Sequence, residues 1–338
     1  MLEIKKPNGL VINVSDYCLN KCIFCFLSKR QRDPQELSIH EWKDFILSIR
    51  DWVERPFQIS FTGGEPLLKD GIVELVEFVR QNGFESYITT SGSGLTSSMI
   101  RDLSDAGLDT ITFSLETLDV KKHDSFRGSP GLFNNIMSGI DEIKQVCPQM
   151  KIGINTIIFK QNLDDILELS NWVLKNPKIA FIGFQVLMQP QNSSSDCLWF
   201  KKHEFGHLWP NDIEKIDAVL DRIAEMRLET QNTPGNKIGC SVVQLKAFKA
   251  YFRNPYNFVK EVNCVVFQKP ISINPYGGIA VCDIGGELGN IRKESLMSMW
   301  NKKMPGYIDK ILKCKIPCAF LINCYFWDAC LSEDLIMQ

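Results

Sequence analysis

From residue 10 to residue 187 the chain alternates short apolar runs with longer stretches in which apolar residues recur at helical spacing. The short runs cover 10–14, 57–61, 86–90, 110–115, 151–158 and 179–187. They are rich in Ile, Val, Phe and Thr, which suit buried strands. Helices are predicted between them, over 38–53, 69–82, 96–106, 133–147 and 163–175. Ser38, followed three residues later by Glu41, has the pattern of a capping box. Ile72, Leu75, Val76 and Val79 mark one face of the second helix, which stops ahead of Gly83. Six strand–helix units in succession predict an α/β fold with a parallel sheet inside and helices outside, the sheet open, partly closed or fully closed. In such folds chemistry gathers at the carboxyl ends of the strands.

The alternation breaks over 189–208, a stretch holding Pro190, Trp199, His203 and His207. A helix over 211–229 follows, and 231–239 reads as a linker. From Cys240 onward the runs are short, Gly and Pro are frequent, and seven of the remaining residues are cysteines, counting Cys240 itself. The expected division is a core domain over 8–230 and a small cysteine-rich domain over 240–338. No internal repeat is visible.

Composition sharpens this picture at one point. Lys and Arg number 38 and Asp and Glu 40, a net charge of −2, so nothing in the charge balance points to nucleic acid or an anionic membrane as partner. The apolar run over 318–327 has about half the ~20 residues of a membrane span, and the first residues lack the apolar core of a targeting segment. A cytoplasmic chain is expected. Cysteine is the anomaly: there are 12 among 338 residues. Nine fall in two groups, Cys18, Cys22 and Cys25 near one end and Cys264, Cys282, Cys314, Cys318, Cys324 and Cys330 near the other. Without an oxidising compartment, metal or cluster binding is the stronger reading and disulfides the weaker.

Cys18, Cys22 and Cys25 follow the first strand directly, on a loop whose spacing can turn three thiolates toward one point. An iron–sulfur cubane normally takes four thiolates, so three leave one iron open, as catalytic metal sites do to admit substrate. A zinc loop is the alternative. Cys-x3-Cys-x2-Cys after the first strand, with Phe24 ahead of the last cysteine, resembles the radical S-adenosylmethionine (SAM) superfamily. The resemblance implies that the open iron of a [4Fe-4S] cluster is chelated by the amino and carboxylate groups of SAM. It also implies that reduction cleaves SAM to methionine and a 5′-deoxyadenosyl radical.

Three further segments extend the resemblance over roughly residues 10–190. Thr62-Gly63-Gly64-Glu65-Pro66 follows the second strand. Paired glycines let backbone approach a ligand closely, and Glu65 is able to accept hydrogen bonds from an ammonium group; the segment resembles the superfamily's GGE motif, which holds the SAM amino group. Ser114 and Glu116 end the fourth strand, and Arg127 lies in His123-Asp-Ser-Phe-Arg127-Gly. These resemble the pattern in which a Ser and a downstream Arg bind the SAM carboxylate, with Glu116 standing where Asp is usual. A surface ion pair with Asp124 is the alternative for Arg127. Asn155, on the fifth strand, is assigned to the ribose or adenine.

In the C-terminal group, Cys264 and Cys282 flank a predicted hairpin that turns at Tyr276-Gly277-Gly278. With Cys314, Cys318, Cys324 and Cys330 the region resembles the SPASM and Twitch extensions of radical SAM enzymes, which carry auxiliary clusters. A zinc ribbon is the alternative. Six cysteines, against seven in a full SPASM domain, with a departing tail spacing, favour one complete auxiliary [4Fe-4S] cluster and leave a second open. Asp283, directly after Cys282, matches the position of a general base in sulfatase-maturing members; a solvated turn residue is the alternative. Cys147, Cys197 and Cys240 are read as inert thiols, with hydrogen-atom donation a minor alternative for Cys240. The implied enzyme is a radical SAM oxidoreductase. It would act on a peptide or protein, or alternatively, in the manner of Twitch enzymes, on a sugar, cyclitol or nucleotide. Its electron donor would be a flavodoxin or ferredoxin.

Overall fold

The computed structural model describes residues 4–25, 31–189, 198–202, 206–254, 266, 270–282 and 286–314. Six strands come first: β1 (Gly9–Ser15), β2 (Gln58–Gly63), β3 (Glu85–Thr90), β4 (Thr110–Ser114), β5 (Lys151–Ile158) and β6 (Phe181–Val186). They lie side by side in chain order, each parallel to the next. The far side of β1 pairs with a later strand rather than with β6, so the sheet is not closed. This is the expected partial (β/α)6 barrel.

Sequence accounts for the strands simply. Leu10, Ile12 and Val14 of β1 and Ile111 and Phe113 of β4 are buried, and Thr110 and Thr112 on the other face of β4 are buried too. A parallel sheet covered on both faces asks for such strands. Around it run α1 (Ile39–Arg50), α2 (Ile72–Gln81), α3 (Ser97–Asp105), α4 (Val120–Arg127), α5 (Leu132–Val146) and α6 (Ile166–Lys175). The Ser38–Glu41 capping box is present in full at the start of α1. Ile72, Leu75, Val76 and Val79 face inward from α2, as their spacing predicts.

α4 has no counterpart in the predicted elements. Its eight residues include four charged ones and few apolar ones, so helical periodicity is faint. Asp119 caps its first turn through Lys122 N–H, and Gly128 ends it in the left-handed conformation at φ 58°. Local capping, rather than an apolar stripe, defines this helix. It presents Arg127 to the end of the sheet.

Past β6 the chain forms α7 (Trp199–Lys202), α8 (Ile213–Thr230) and α9 (Val242–Arg253). The predicted linker does more than connect. Ile182 N–H donates to Lys237 O at 2.7 Å and Gly239 N–H donates to Ile182 O at 2.7 Å, so 237–239 adds a short parallel bridge to the β6 edge. Then β7 (Ile271–Ile273) pairs parallel with β1, and β8 (Gly278–Ala280) and β9 (Glu287–Asn290) follow antiparallel. The predicted hairpin is therefore present, with Gly277 at φ 87° in its turn, and it extends the main sheet to nine strands among the described residues. Last comes α10 (Leu296–Leu312), whose Trp300 packs edge-on against Trp52. No helix among the described residues is long and apolar enough to cross a membrane.

The hairpin is also tied to the chain that follows the first cysteine group. Leu37 N–H donates to Pro275 O at 2.7 Å. Tyr276 Oη donates to Asp33 Oδ2 at 3.1 Å, and Arg292 reaches Glu41 and the Gln35 carbonyl. Glu41 thus serves α1 as a cap residue and the hairpin as a counter-ion.

Candidate active site

Cys18, Cys22 and Cys25 occupy the loop leaving β1, each half-buried. Backbone holds this loop on both flanks. On one side, Gly64 N–H donates to Ser15 O at 2.7 Å and Glu65 N–H donates to Tyr17 O at 2.9 Å. On the other, Lys21 N–H donates to Arg127 O at 3.1 Å and Ile23 N–H donates to Phe126 O at 2.9 Å. Glycine makes both contacts feasible. A Cβ on Gly63 would run into Ser15 O, one on Gly64 into Tyr17 O, and one on Gly128 would lie 2.6 Å from Lys21 O. The paired glycines expected to admit a ligand thus bring the 62–65 turn against the cysteine loop itself.

Glu65 is fully buried and accepts four hydrogen bonds. Leu67 N–H and Thr90 Oγ1 reach Oε1 at 3.1 and 2.6 Å; Ser91 N–H reaches Oε2 at 2.9 Å, and Ser91 Oγ donates to the same oxygen. Burial pushes its carboxyl up from the ordinary range, and the Ser91 and Thr90 hydroxyls work against that shift. A carboxylate offers about four acceptor positions, and all are taken. Glu65 therefore stitches the end of β2 to the end of β3.

Arg127 lies under the loop, 8 % exposed. Its Nε donates to Glu116 Oε2 at 2.8 Å and its Nη2 to Glu116 Oε1, a bidentate pair. Nη1 points at Cys22 Sγ, 3.7 Å away, and the guanidinium stacks over the Phe24 ring with Cζ 5.1 Å from its centroid. The ion-pair alternative for Arg127 is right in kind but not in partner: Asp124 instead accepts from Gly131 and Phe133 N–H at the start of α5. Burial disfavours the guanidinium charge, yet Glu116 and Cys22 outweigh it and hold Arg127 firmly cationic. Burial likewise pushes the Glu116 carboxyl up, and Arg127 draws it back toward the ionised form. His123 is fully buried beside the pair, with Nδ1 3.6 Å from Glu116 Oε2. Neither ring nitrogen has a hydrogen-bond partner. Desolvation, helped by the Arg127 charge, lowers its pKa to about 3, so the ring is neutral.

Ser114 ends β4 and is the register partner of Asn155, within β5, and both are half-buried. They join the same end of the sheet as the cysteine loop. Cys282 lies two residues beyond β8, and Cys314 follows α10. Tyr307 Oη donates to the Cys282 and Gly286 carbonyls at 3.2 and 2.7 Å, which fixes the ends of the segment holding Asp283. Asp283, Cys264, Cys318, Cys324, Cys330, Cys197 and His203 lie outside the described residues. Cys240 is buried; its thiol accepts from Phe184 N–H at 3.4 Å and lies 3.5 Å from Phe184 O as donor. It is part of the β6 edge. Sequence reasoning passed over Asn20, which is buried and accepts from Ser93 Oγ at 2.6 Å. The polar run Thr90-Ser91-Gly92-Ser93 at a strand's carboxyl end was its available sign.

Among the described residues no three His, Cys, Asp or Glu side chains converge tightly enough for a single metal ion. A multi-iron cluster binds each thiolate through a different iron and spreads its ligands wider, which the loop accommodates. The thiols are close enough to raise one another's pKa. Burial pushes Cys18 up to about 12, with Glu65, Cys22 and Cys25 adding to it against the Asn20 N–H, and burial raises Cys22 against the pull of Arg127. Three half-buried thiols on one loop, two of them raised by burial and one of those facing an arginine, form a donor set that fits an iron–sulfur cluster. The Asn20 Nδ2, buried without a partner next to them, is a further donor at this position.

Comparison with known proteins bears on the same residues. Residues 12–173 match the family model of the radical SAM superfamily, and residues 264–324 match that of SPASM, an iron–sulfur cluster-binding domain. The AdoMet-dependent heme synthase of Methanosarcina barkeri is 27% identical over 314 residues, covering 87% of this chain and 82% of that protein. The GTP 3′,8-cyclase of Thermodesulfovibrio yellowstonii is 31% identical over 224 residues, covering 62% and 66%. Streptococcus suis SuiB superposes with a TM-score of 0.67 at 20% identity, over 94% of this chain and 72% of its own. The anSMEcpe structure with bound AdoMet and Cp18Cys peptide superposes with a TM-score of 0.66 at 15% identity, over 94% and 88%. At these identities the superpositions establish the fold.

Two outcomes are expected from this geometry. Gly64→Ala forces the turn off the cysteine loop and should lower stability in urea by roughly 2–3 kcal/mol. Gly131→Ala, where a Cβ meets nothing within 4 Å at φ 82°, should incur only the left-handed strain of about 1–2 kcal/mol. Equal losses in both would show that the close approach at Gly64 is not a constraint. The second outcome concerns His123, whose folded pKa of about 3 lies below its ordinary 6.5. The unfolded chain takes up the proton first, so stability is full above pH 6.5 and declines as pH falls toward 3, by ~1.4 kcal/mol per unit. In metal-free protein the urea midpoint should drop between pH 6.5 and 5, and His123→Leu should flatten that drop; parallel curves would assign the acid sensitivity elsewhere.

Proposed function

The chain belongs to the radical SAM superfamily and carries a SPASM-type domain, and on that premise we propose that it uses SAM-derived radical chemistry to oxidise a peptide or protein side chain. The observation that carries this reading is the wedge of Cys18, Cys22 and Cys25 between the 62–65 turn and the Arg127 end of α4. When bound and reduced there, a [4Fe-4S] cluster supplies the electron that splits SAM into methionine and the 5′-deoxyadenosyl radical. Cys18, Cys22 and Cys25 are its ligands in this reading.

The other residues serve binding and order. Backbone carbonyls of 62–64 and the Ser114 hydroxyl face the end of the sheet where the amino and carboxylate groups of SAM are held, and Asn155 faces its sugar or base. Phe24, stacked on Arg127, walls one side and limits water. In the C-terminal domain four of Cys264, Cys282, Cys314, Cys318, Cys324 and Cys330 would provide the ligands of one auxiliary [4Fe-4S] cluster. The deoxyadenosyl radical would take a hydrogen atom from the substrate and become 5′-deoxyadenosine, and Asp283 would then take a proton from the substrate radical as its unpaired electron passes to the auxiliary cluster. The peptide class draws support from the superposition over 94% of the chain on SuiB, a protein also solved bound to the precursor peptide SuiA. A second reading, a small-molecule substrate, draws support from the heme synthase, whose similarity spans 87% of the chain.

The deciding experiment is anaerobic. Reconstituted protein should hold about eight irons per chain, four for each cubane, and should form 5′-deoxyadenosine when given dithionite and SAM. Loaded protein that never forms deoxyadenosine, with or without peptide, would sink the reading. Cys18→Ala, Cys22→Ala and Cys25→Ala together should abolish deoxyadenosine and halve the iron; a triple variant that still cleaves SAM would refute the ligand assignment. Asp283→Asn should leave SAM cleavage intact and stop product formation, and an unchanged product yield would remove Asp283 from the chemistry.

A further inference from the structure

The Arg127 guanidinium has five N–H donors arranged in one plane, and this fold divides them between two partners. Glu116 takes the Nε–Nη2 edge. The remaining nitrogen, Nη1, is directed at the Cys22 sulfur at 3.7 Å. One face of the plane is closed by Phe24, itself backed by Phe159 at 5.4 Å between ring centroids. Glu116 and His123 are fully buried and Arg127 nearly so. The ion pair is thus dry, and its charges act at short range on the one thiol that Arg127 touches.

A buried arginine that served only as an anion clamp would keep its bidentate edge open. Here that edge is filled by a carboxylate from the same sheet, and only the single Nη1 side is left, facing a cysteine. We propose that Arg127 and Glu116 are a charge-tuning pair for the cluster on the cysteine loop, Arg127 stabilising the electron-rich thiolate of Cys22 and Glu116 limiting how far it does so. Hydrogen bonds and positive charge at a cluster thiolate favour the reduced state and raise the reduction potential. Glu116 offsets part of the arginine charge, so the two residues act on the potential with opposite sign. His123, neutral against the outer side of Glu116, adds no charge of its own. The proposal rests on the cluster assignment above but does not require that SAM be cleaved.

The test is an electron-paramagnetic-resonance redox titration of the reconstituted full chain without SAM. The signal of the Cys18/Cys22/Cys25 triple alanine variant is subtracted to isolate the loop's cluster. Arg127→Gln should move its potential down and Glu116→Gln should move it up, with Arg127→Lys near the wild type. Shifts in the same direction, or none in either variant, would overturn the proposal, because loosened packing alone has no reason to change sign between partners. Should Arg127→Gln fail to fold or load iron, Glu116→Gln decides alone: an upward shift supports the pair and a null or downward shift overturns it. Loaded wild type that titrates as expected yet forms no deoxyadenosine would sink the proposed activity and leave the tuning pair standing. A triple variant with wild-type iron would remove the loop cluster, and the proposal with it.

Discussion

The arrangement depends on one constraint, the squeeze of the cysteine loop between two glycine-bearing turns. The loop's own sequence has little to hold it: half-buried thiols, no regular structure, and a crossing from β1 to α1. Its order comes from four backbone hydrogen bonds, two from the 62–65 turn and two to the end of α4. Backbone bonds at such range need partners without a Cβ in the way, and Gly63, Gly64 and Gly128 meet that need. Main chain does much of the holding, beside side-chain contacts such as Asn20 Oδ1 accepting from Ser93 Oγ. A loop held by its side chains would have fewer to offer a ligand.

Two buried carboxylates flank this loop, and they are stabilised by opposite means. Glu65 is satisfied by neutral donors, two hydroxyls and two backbone N–H groups, and so brings a local negative charge fixed in the floor of the site. Glu116 is satisfied by a cation and brings little net field. Breaking either leaves an uncompensated charge in a dry place, which is far more destabilising than losing a surface pair. Beside the Arg127–Glu116 pair Phe24, Phe159 and Phe126 pack in that order, tilted and then edge-on, at 5.4 and 5.0 Å between centroids.

The strands and most flanking helices were legible because burial on both faces of a parallel sheet imposes apolar runs, and helices lying on it must carry an apolar stripe. Residue order along the chain also placed Cys18, Cys22, Cys25, Gly63, Gly64 and Ser114 at the carboxyl ends of strands, and Asn155 on the fifth strand, where the structure has them. What escaped was defined by contacts rather than by periodicity. α4 is set by a cap at Asp119 and a left-handed Gly128, and its stripe is too short to register. In the sequence Glu65 reads as an acceptor for a ligand ammonium, and the Thr90 and Ser91 hydroxyls that bind its carboxylate lie far away in the chain. The partner of Arg127 could not be read either, because Asp124 is near in sequence while Glu116 is near across the end of β4.

The C-terminal hairpin shows how the two cysteine groups come to share one scaffold. β7 pairs with β1, the strand that leads directly into the first cysteine loop, and β8 leads into Cys282 two residues past its end. A single sheet therefore leads into both the first cysteine loop and Cys282, and Tyr276 reaches from the hairpin turn to Asp33, on the far side of the first loop. Such a Tyr–Asp contact, part-buried and joined by Arg292 and the Pro275 carbonyl, makes the position of one loop depend on the other. Electron transfer between two centres falls steeply with distance, so a fold that passes an electron between them gains by fixing their spacing through paired strands instead of a flexible linker. The residues just before Cys240 fit that view: 237–239 are themselves bridged to the β6 edge, and the chain enters the cysteine-rich region already bound to the sheet.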